Sequence, residues 1–201
     1  QIYPDLKERK ATVRISLYAP ASAKATLQLS SESFNSDKKH SVPTVQQNIS
    51  VRSGDNKIKM ELPMGEGFLT WDEFDPALYK LTATLTCGKE REVKEVQFGM
   101  REFTIKGKWF YVNGRKTMLR GTVENCDFPL TGYAPMDVAS WERVFRICRN
   151  YGLNHMRFHS SVRRKPHLLL RTLSVFICSR KVQAGLITVR DWATASLSTS
   201  I

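Results

Sequence analysis

Among the chain's acidic, basic and imidazole side chains, several stand in two short stretches. Glu124, Asn125 and Asp127 belong to the first, Glu-Asn-Cys-Asp; Arg157 and His159 close the second, Asn-His-Met-Arg-Phe-His. Carboxylates and imidazoles can act as general acids, bases or nucleophiles, and a guanidinium can hold an oxyanion or carboxylate. Each also has an ordinary role. Arg157 reads equally well as a buried ion-pair partner, and His159 as a hydrogen-bonded group at a strand end. Asp137 is a helix cap, and Glu142 falls on the outward face of a helical pattern. The four cysteines, Cys87, Cys126, Cys148 and Cys178, show no CxxC pairing and no His at metal-ligand spacing, so they indicate neither a metal centre nor a disulfide framework.

The elements that must position these residues are legible in the local pattern. Phe103 to Ile105 and Trp109 to Val112 lead into Asn113-Gly114, and Arg115 to Arg120 continue beyond it. Asn-Gly between two apolar-containing runs predicts a hairpin, because both residues tolerate the positive φ of a type I′ turn. The period then changes. Val138, Trp141, Val144, Phe145, Cys148 and Tyr151 fall at helical spacing, with Asp137 placed to cap the start and Gly152 to end the helix. Leu153 to Phe158 is a short strand. Strand, loop, helix and strand over about forty residues make one βα repeat, the unit of parallel barrels and doubly wound sheets.

Upstream, residues 1–98 read as an all-β domain. Ala11 to Leu17 and Ala25 to Leu29 alternate with period two, residues 30–43 look like an exposed polar connection, and Val45 to Val51 and Lys57 to Leu62 resume strand patterning around the turn Ser53-Gly54-Asp55-Asn56. Tyr79 to Thr86 and Glu92 to Phe98 supply a closing pair around Gly88. Six or seven short strands in under a hundred residues indicate a sandwich, with no paired cysteines to join its sheets.

Five short motifs follow one another over some sixty residues. They are Phe98-Gly99-Met100-Arg101, Phe110-Tyr111-Val112-Asn113-Gly114, Leu119-Arg120-Gly121, Pro129-Leu130-Thr131-Gly132 and Asn154-His155-Met156-Arg157. Together they resemble the junction between the immunoglobulin-like sandwich and the (β/α)8 barrel of glycoside hydrolase family 2, the β-galactosidase, β-glucuronidase and β-mannosidase family. Leu69-Thr70-Trp71-Asp72 with Pro76-Ala77-Leu78-Tyr79 resembles a signature of the family's sandwich; Trp71 and Tyr79 then plug its edge or seam, a sugar-stacking Trp71 being the lesser reading.

The resemblance implies a mainly β chain: an immunoglobulin-like β-sandwich at 1–98, then a hairpin and the first βα unit of a truncated (β/α)8 barrel at 99–160. Barrel chemistry sits at the C-terminal ends of the strands. With 119–123 as first strand and 153–158 as second, Glu124, Asn125, Asp127, Arg157 and His159 become substrate-facing candidates. His159 lies one position before the family's usual His, and the first loop departs from the family's pattern. Retention needs two carboxylates about 5 to 5.5 Å apart. In the family both are glutamates of the fourth and seventh strands, so no catalytic residue is expected in this chain. The implied parent acts on a β-linked saccharide with no cofactor or metal required, and family habit suggests a secreted or periplasmic bacterial enzyme.

Composition narrows the alternatives. The 201 residues carry a net charge of +12. The last 41 hold seven Lys/Arg against Asp191 alone, while charges elsewhere are interspersed, which argues against a nucleic-acid partner. No apolar run reaches the length of a membrane helix, and no signal peptide is evident. The opening residues look like a cut into a longer protein. The tail at 161–201 matches nothing in the family. Read one base earlier, its codons can encode family-like peptides, so a frameshift in the gene is expected. The other class of function left open is a non-catalytic β-sandwich that binds carbohydrate or a partner.

Overall fold

In a computed structural model, the structure describes residues 1–125 and 127–158 and the backbone of 177–180. The described chain divides into two compact units, one built from Gln1–Trp71 and Ala77–Glu102, the other from Asp72–Pro76 and the residues from Phe103 on.

The first unit contains seven strands: β1 (Ile2–Asp5), β2 (Lys10–Ala19), β3 (Ala23–Ser33), β4 (Ser41–Val51), β5 (Gly54–Pro63), β6 (Tyr79–Cys87) and β7 (Glu90–Phe98). They pair antiparallel in two sheets, ordered β1-β2-β5 and β4-β3-β6-β7. Alternation along each strand supplies the inner faces. Ala11 and Val13 of β2, Met60 and Leu62 of β5, Leu27 and Leu29 of β3 and Leu81 of β6 meet in one buried cluster with Tyr79 and Phe98. Burying a side chain such as Leu62 contributes about 1.5 to 3 kcal/mol, and with no disulfide this packing holds the sheets together. The architecture is the mainly β sandwich that the patterning predicts.

One expectation fails. Residues 30–43 are not a single exposed connection, since β3 runs to Ser33 and β4 begins at Ser41. Ser31 and Ser33 are polar yet buried, because their hydroxyls find partners within the fold: Ser31 Oγ donates to the Lys80 carbonyl at 3.3 Å, and Ser33 Oγ accepts from the His40 amide at 2.8 Å. A serine-rich segment reads as a loop until those partners are known. Pro43, which has no amide to donate, sits on edge strand β4 where the register with β3 shifts between Leu29 and Ser31.

The signature residues behave as packing elements. Trp71 is 2% exposed, its amide donates to the Met100 carbonyl at 2.9 Å, and the Arg101 guanidinium stands 4.6 Å from its ring centroid. It offers no platform for a sugar. The Tyr79 hydroxyl accepts from the Leu69 amide at 2.8 Å and pairs with His40 Nδ1 at 2.9 Å; burial pushes its pKa up. Gly99 passes so close to Trp71 that an added Cβ would lie 2.9 Å from Trp71 Cβ. Gly99→Ala is therefore expected to cost about 1 to 3 kcal/mol as an overpacked site, measurable as a lower urea midpoint with unchanged slope.

The second unit begins with β8 (Phe103–Lys106), β9 (Trp109–Val112) and β10 (Arg115–Thr117), an antiparallel sheet ordered β10-β9-β8. Asn113 and Gly114 have φ of 52° and 75°, the double positive φ of the type I′ turn. Next come β11 (Gly121–Glu124), α1 (Val138–Asn150), β12 (His155–Phe158) and β13 (Ile177–Arg180), the three strands forming a parallel sheet in that order. The two expected barrel strands are shorter than the pattern suggested. β13 falls within the tail read above as a frameshift product; the remainder of that tail lies outside the described residues.

Helix α1 starts and stops for local reasons. Asp137 Oδ1 accepts from the Ser140 amide at 2.8 Å, which holds the carboxyl below its ordinary pKa. At the other end the Gly152 amide donates to the Arg149 carbonyl at 2.8 Å and the Leu153 amide to the Cys148 carbonyl at 3.1 Å, with Gly152 at φ 75°. That pair of bonds is a Schellman closure. Trp141 and Phe145 pack on Met156 and Phe158 of β12, and Trp141 Nε1 donates to the Pro135 carbonyl at 2.9 Å.

Candidate functional site

The parallel sheet has two unlike faces, and the register says which residue lies on which. Thr122 is opposite Met156 and Glu124 opposite Phe158; Gly121 is opposite His155 and Val123 opposite Arg157. Paired residues of a parallel ladder share a face. Met156 and Phe158 are buried under α1, so Thr122 and Glu124 lie on the helix side. A Cβ on Gly121 would collide with the His155 ring, which fixes Gly121, Val123, His155 and Arg157 on the opposite face. Val123 there is 53% exposed.

This arrangement corrects one sequence expectation. Glu124 does not follow the first strand; it is the last residue of β11 and lies on the α1 side. There its charge, after burial, helps push the Cys148 thiol of α1 above its ordinary pKa. Asn125 and Asp127 are exposed in the connection from β11 to α1, beyond the strand's C-terminal end. Arg157 is half-buried in the middle of β12 on the face away from α1. His159 and Cys126 lie outside the described residues. The sheet thus separates Glu124 from Arg157 by face, while Asn125 and Asp127 follow the end of β11, beyond the Val123 that is paired with Arg157.

His155, not singled out from the sequence, shares Arg157's face. Burial, and then the neighbouring Arg157 charge, hold its pKa below the ordinary 6.5. A depressed pKa means the unfolded chain binds a proton before the folded one does. The stability His155 contributes is therefore full above about pH 6.5 and is lost as pH falls toward the folded value. Thermal melts of the wild type and His155→Gln between pH 7.5 and 5 are expected to converge in slope only where His155 no longer titrates, with the variant less acid-sensitive.

A second set of residues escaped the sequence reading. Asn154 precedes β12 and is buried. Its Nδ2 donates to Glu73 Oε2 and, at 3.0 Å, to the Met118 carbonyl; its Oδ1 accepts from the Arg120 amide at 2.8 Å. Arg120 Nε donates to the Gly152 carbonyl at 2.8 Å, and its Nη2 lies 3.4 Å from Glu73 Oε2. The Asn154 and His155 amides both donate to the Arg120 carbonyl, at 2.9 and 3.2 Å. The cluster sits at the N-terminal end of the parallel strands, the end of such sheets associated with stability. The pair Arg120–Gly121 and the residue Asn154 were visible only as parts of motifs, and Glu73 lies 81 residues from Asn154.

Chemically, the face away from α1 presents a cation and an imidazole, which can hold hydroxyl or carboxylate oxygens. None of its four described positions in β11 and β12 bears a carboxylate. Among the described residues no group of three His, Cys, Asp or Glu side chains could hold a metal ion, and no helix is long and apolar enough to cross a membrane.

Comparison with known proteins agrees with this architecture. Over 64 residues the chain is 36% identical to a beta-galactosidase of Thermoanaerobacterium thermosulfurigenes, a match covering 32% of this chain and 9% of that protein. Over 87 residues it is 30% identical to a beta-galactosidase of Staphylococcus xylosus, covering 43% and 8%. The matches thus span under a tenth of the length of these curated relatives. Among solved structures, the fold is similar to Bacteroides uniformis beta-glucuronidase 2 (TM-score 0.72, 20% identity, 89% of this chain and 22% of that one). It is likewise similar to a glycosyl hydrolase family 2 member from Bacteroides cellulosilyticus (TM-score 0.73, 17% identity, 88% and 24%). At these coverages the likeness in fold extends past the sandwich. The family description "Glycosyl hydrolases family 2" matches residues 1–101, the whole sandwich with its Trp71 and Gly99 packing. By the match over residues 1–101, half of its length, the chain belongs to glycosyl hydrolases family 2.

Proposed function

We propose that this chain is the supporting sandwich and the first staves of a retaining β-glycosidase, and that by itself it turns over no substrate. The observation that carries the reading is the composition of the parallel sheet's open face. Gly121, Val123, His155 and Arg157 occupy it, and the nearest carboxylate on β11, Glu124, lies on the helix side. Double displacement at a sugar needs an acid/base and a nucleophile about 5 to 5.5 Å apart. The parent's pair would come from later strands of the barrel. Asn125, Asp127, Arg157 and His159 would line the mouth of the parent's site, Arg157 as an oxygen-binding cation. Its substrate class would be a terminal β-linked sugar.

In this reading residues 1–98 are the sandwich, 99–160 the beginning of the barrel, and 161–201 a tail translated out of frame. Two measurements test it. Purified chain incubated with nitrophenyl β-galactoside, β-glucuronide and β-mannoside is expected to release nitrophenol no faster than buffer; turnover at rates of about 1 per second or more, typical of enzymes, would sink the proposal. Sequencing the coding DNA past the Ser160 codon decides the tail, since an uninterrupted family frame with the tail as written removes the frameshift.

A further inference from the structure

The outward face of the β8–β9–β10 sheet carries side chains that nothing above employs. Lys106 is opposite Trp109, and Thr104 and Lys116 are both opposite Tyr111, so these five residues share one face. The other face carries the buried Val112 and Thr117. Three ammonium groups stand over the outward rings. Lys116 Nζ is 3.3 Å and Lys108 Nζ 5.6 Å from the Trp109 centroid, and Lys106 Nζ is 5.3 Å from that of Tyr111. All three lysines are exposed, and residues 103–117 contain no Asp or Glu.

We propose that this face is a binding surface for a carboxylated polysaccharide. Lysine side chains usually wander in solvent. Here the ring quadrupoles of Trp109 and Tyr111 hold the ammoniums against the rings, so less freedom is lost when anions arrive. Three positive charges on one face of the sheet and its turn are complementary to the pendant carboxylates of an extended acidic sugar chain, whose C–H surfaces can lie on the lysine stems. The same geometry disfavours other polyanions and surfaces. Single-stranded nucleic acid is held by stacking bases on open aromatic faces, and Lys116 already covers Trp109. Duplex reading requires a helix or a two-stranded ribbon that enters a groove, whereas these lysines lie on the face of a three-stranded sheet. A membrane surface requires open apolar side chains beside the cations; here Lys116 covers the Trp109 ring, and the exposed Ile105 belongs to the opposite face. This surface does not rest on the glycosidase reading and would stand if that reading failed.

The test is affinity electrophoresis of the full chain in gels containing polygalacturonate, at about 20 mM salt where screening is weak. Three proteins are compared: wild type, Lys106→Glu/Lys108→Glu/Lys116→Glu, and a control of equal charge change in the sandwich, Lys24→Glu/Lys57→Glu/Lys94→Glu. The hairpin variant is expected to lose about tenfold in affinity and the control under about threefold. If the hairpin variant fails to fold by circular dichroism, Lys116→Gln alone is expected to lose about threefold and takes its place. Equal losses in both triple variants would show mere attraction to the net charge and overturn the proposal. So would retention unaffected by polygalacturonate, or tighter binding of the wild type to oligodeoxythymidine than to polygalacturonate at the same salt.

Discussion

Trp141→Ala is expected to unfold the βα unit at room temperature while leaving the sandwich intact. Trp141 is 1% exposed and touches Phe128, Phe145 and Phe158, with ring centroids 5.9, 6.0 and 5.7 Å away. It is the largest side chain of the four-residue buried cluster under α1. Removing a buried Trp costs about 3 to 5 kcal/mol, and the Pro135 carbonyl loses its indole donor as well. One helix on a short parallel sheet has little apolar area to offset such a loss. Hydrogen exchange checks the outcome: amides of α1, β11 and β12 should lose protection, and those of β2, β3 and β6 should keep it. Protection of α1 within about threefold of the wild type would contradict this account of what holds the unit together.

Asn154→Ala should act on the same unit by a different physical route. It removes no large apolar surface. It strips partners from three groups at once: Glu73 Oε2, the Met118 carbonyl and the Arg120 amide. A buried polar group left unsatisfied costs about 1 to 3 kcal/mol. Two such losses are comparable to the Trp141 deletion, while Glu73, 15% exposed at its side chain, retains Arg120 as a partner. Both lost bonds, at the Arg120 amide and the Met118 carbonyl, are only part-buried, so the expected loss is about 2 to 4 kcal/mol, the lower part of the range for two such groups. Asn154→Asp separates charge from shape: it keeps the acceptor for the Arg120 amide but sets two carboxylates against each other, and should be at least as damaging at pH 7. Chemical denaturation followed by tryptophan fluorescence, with exchange at the Arg120 and His155 amides, distinguishes these outcomes. An Asn154→Asp variant as stable as the wild type would show that Glu73 is not the partner that matters.

Both substitutions act on one short segment of chain, yet only one of them was legible beforehand. Trp141 announces itself through the 3.6-residue period it shares with Phe145 and Cys148, and Asp137 and Gly152 bracket that period with signals each readable within a few residues. The Asn113-Gly114 turn was legible for the same reason, since a type I′ turn is decided by two backbone angles. The sandwich strands were legible through alternation, except where buried serines disguised the end of β3. Asn154 had no such signal. A buried Asn looks like any loop Asn until its partners are in view.

The sequence by itself determined the local states of the chain: which runs are strands, where the helix begins and ends, where the hairpin turns, and the family those motifs belong to. These follow from dihedral preferences and hydrophobic period, which act over a few residues. The tertiary structure alone decided two other matters. It brought Glu73 to Asn154 across 81 residues, and it set Glu124 and Arg157 on opposite faces of one sheet. Long-range pairing and strand register fix both, and a shift of a single residue in register would reverse every side chain's face. That is why the candidate residues could be named from the sequence, while what each of them faces could not.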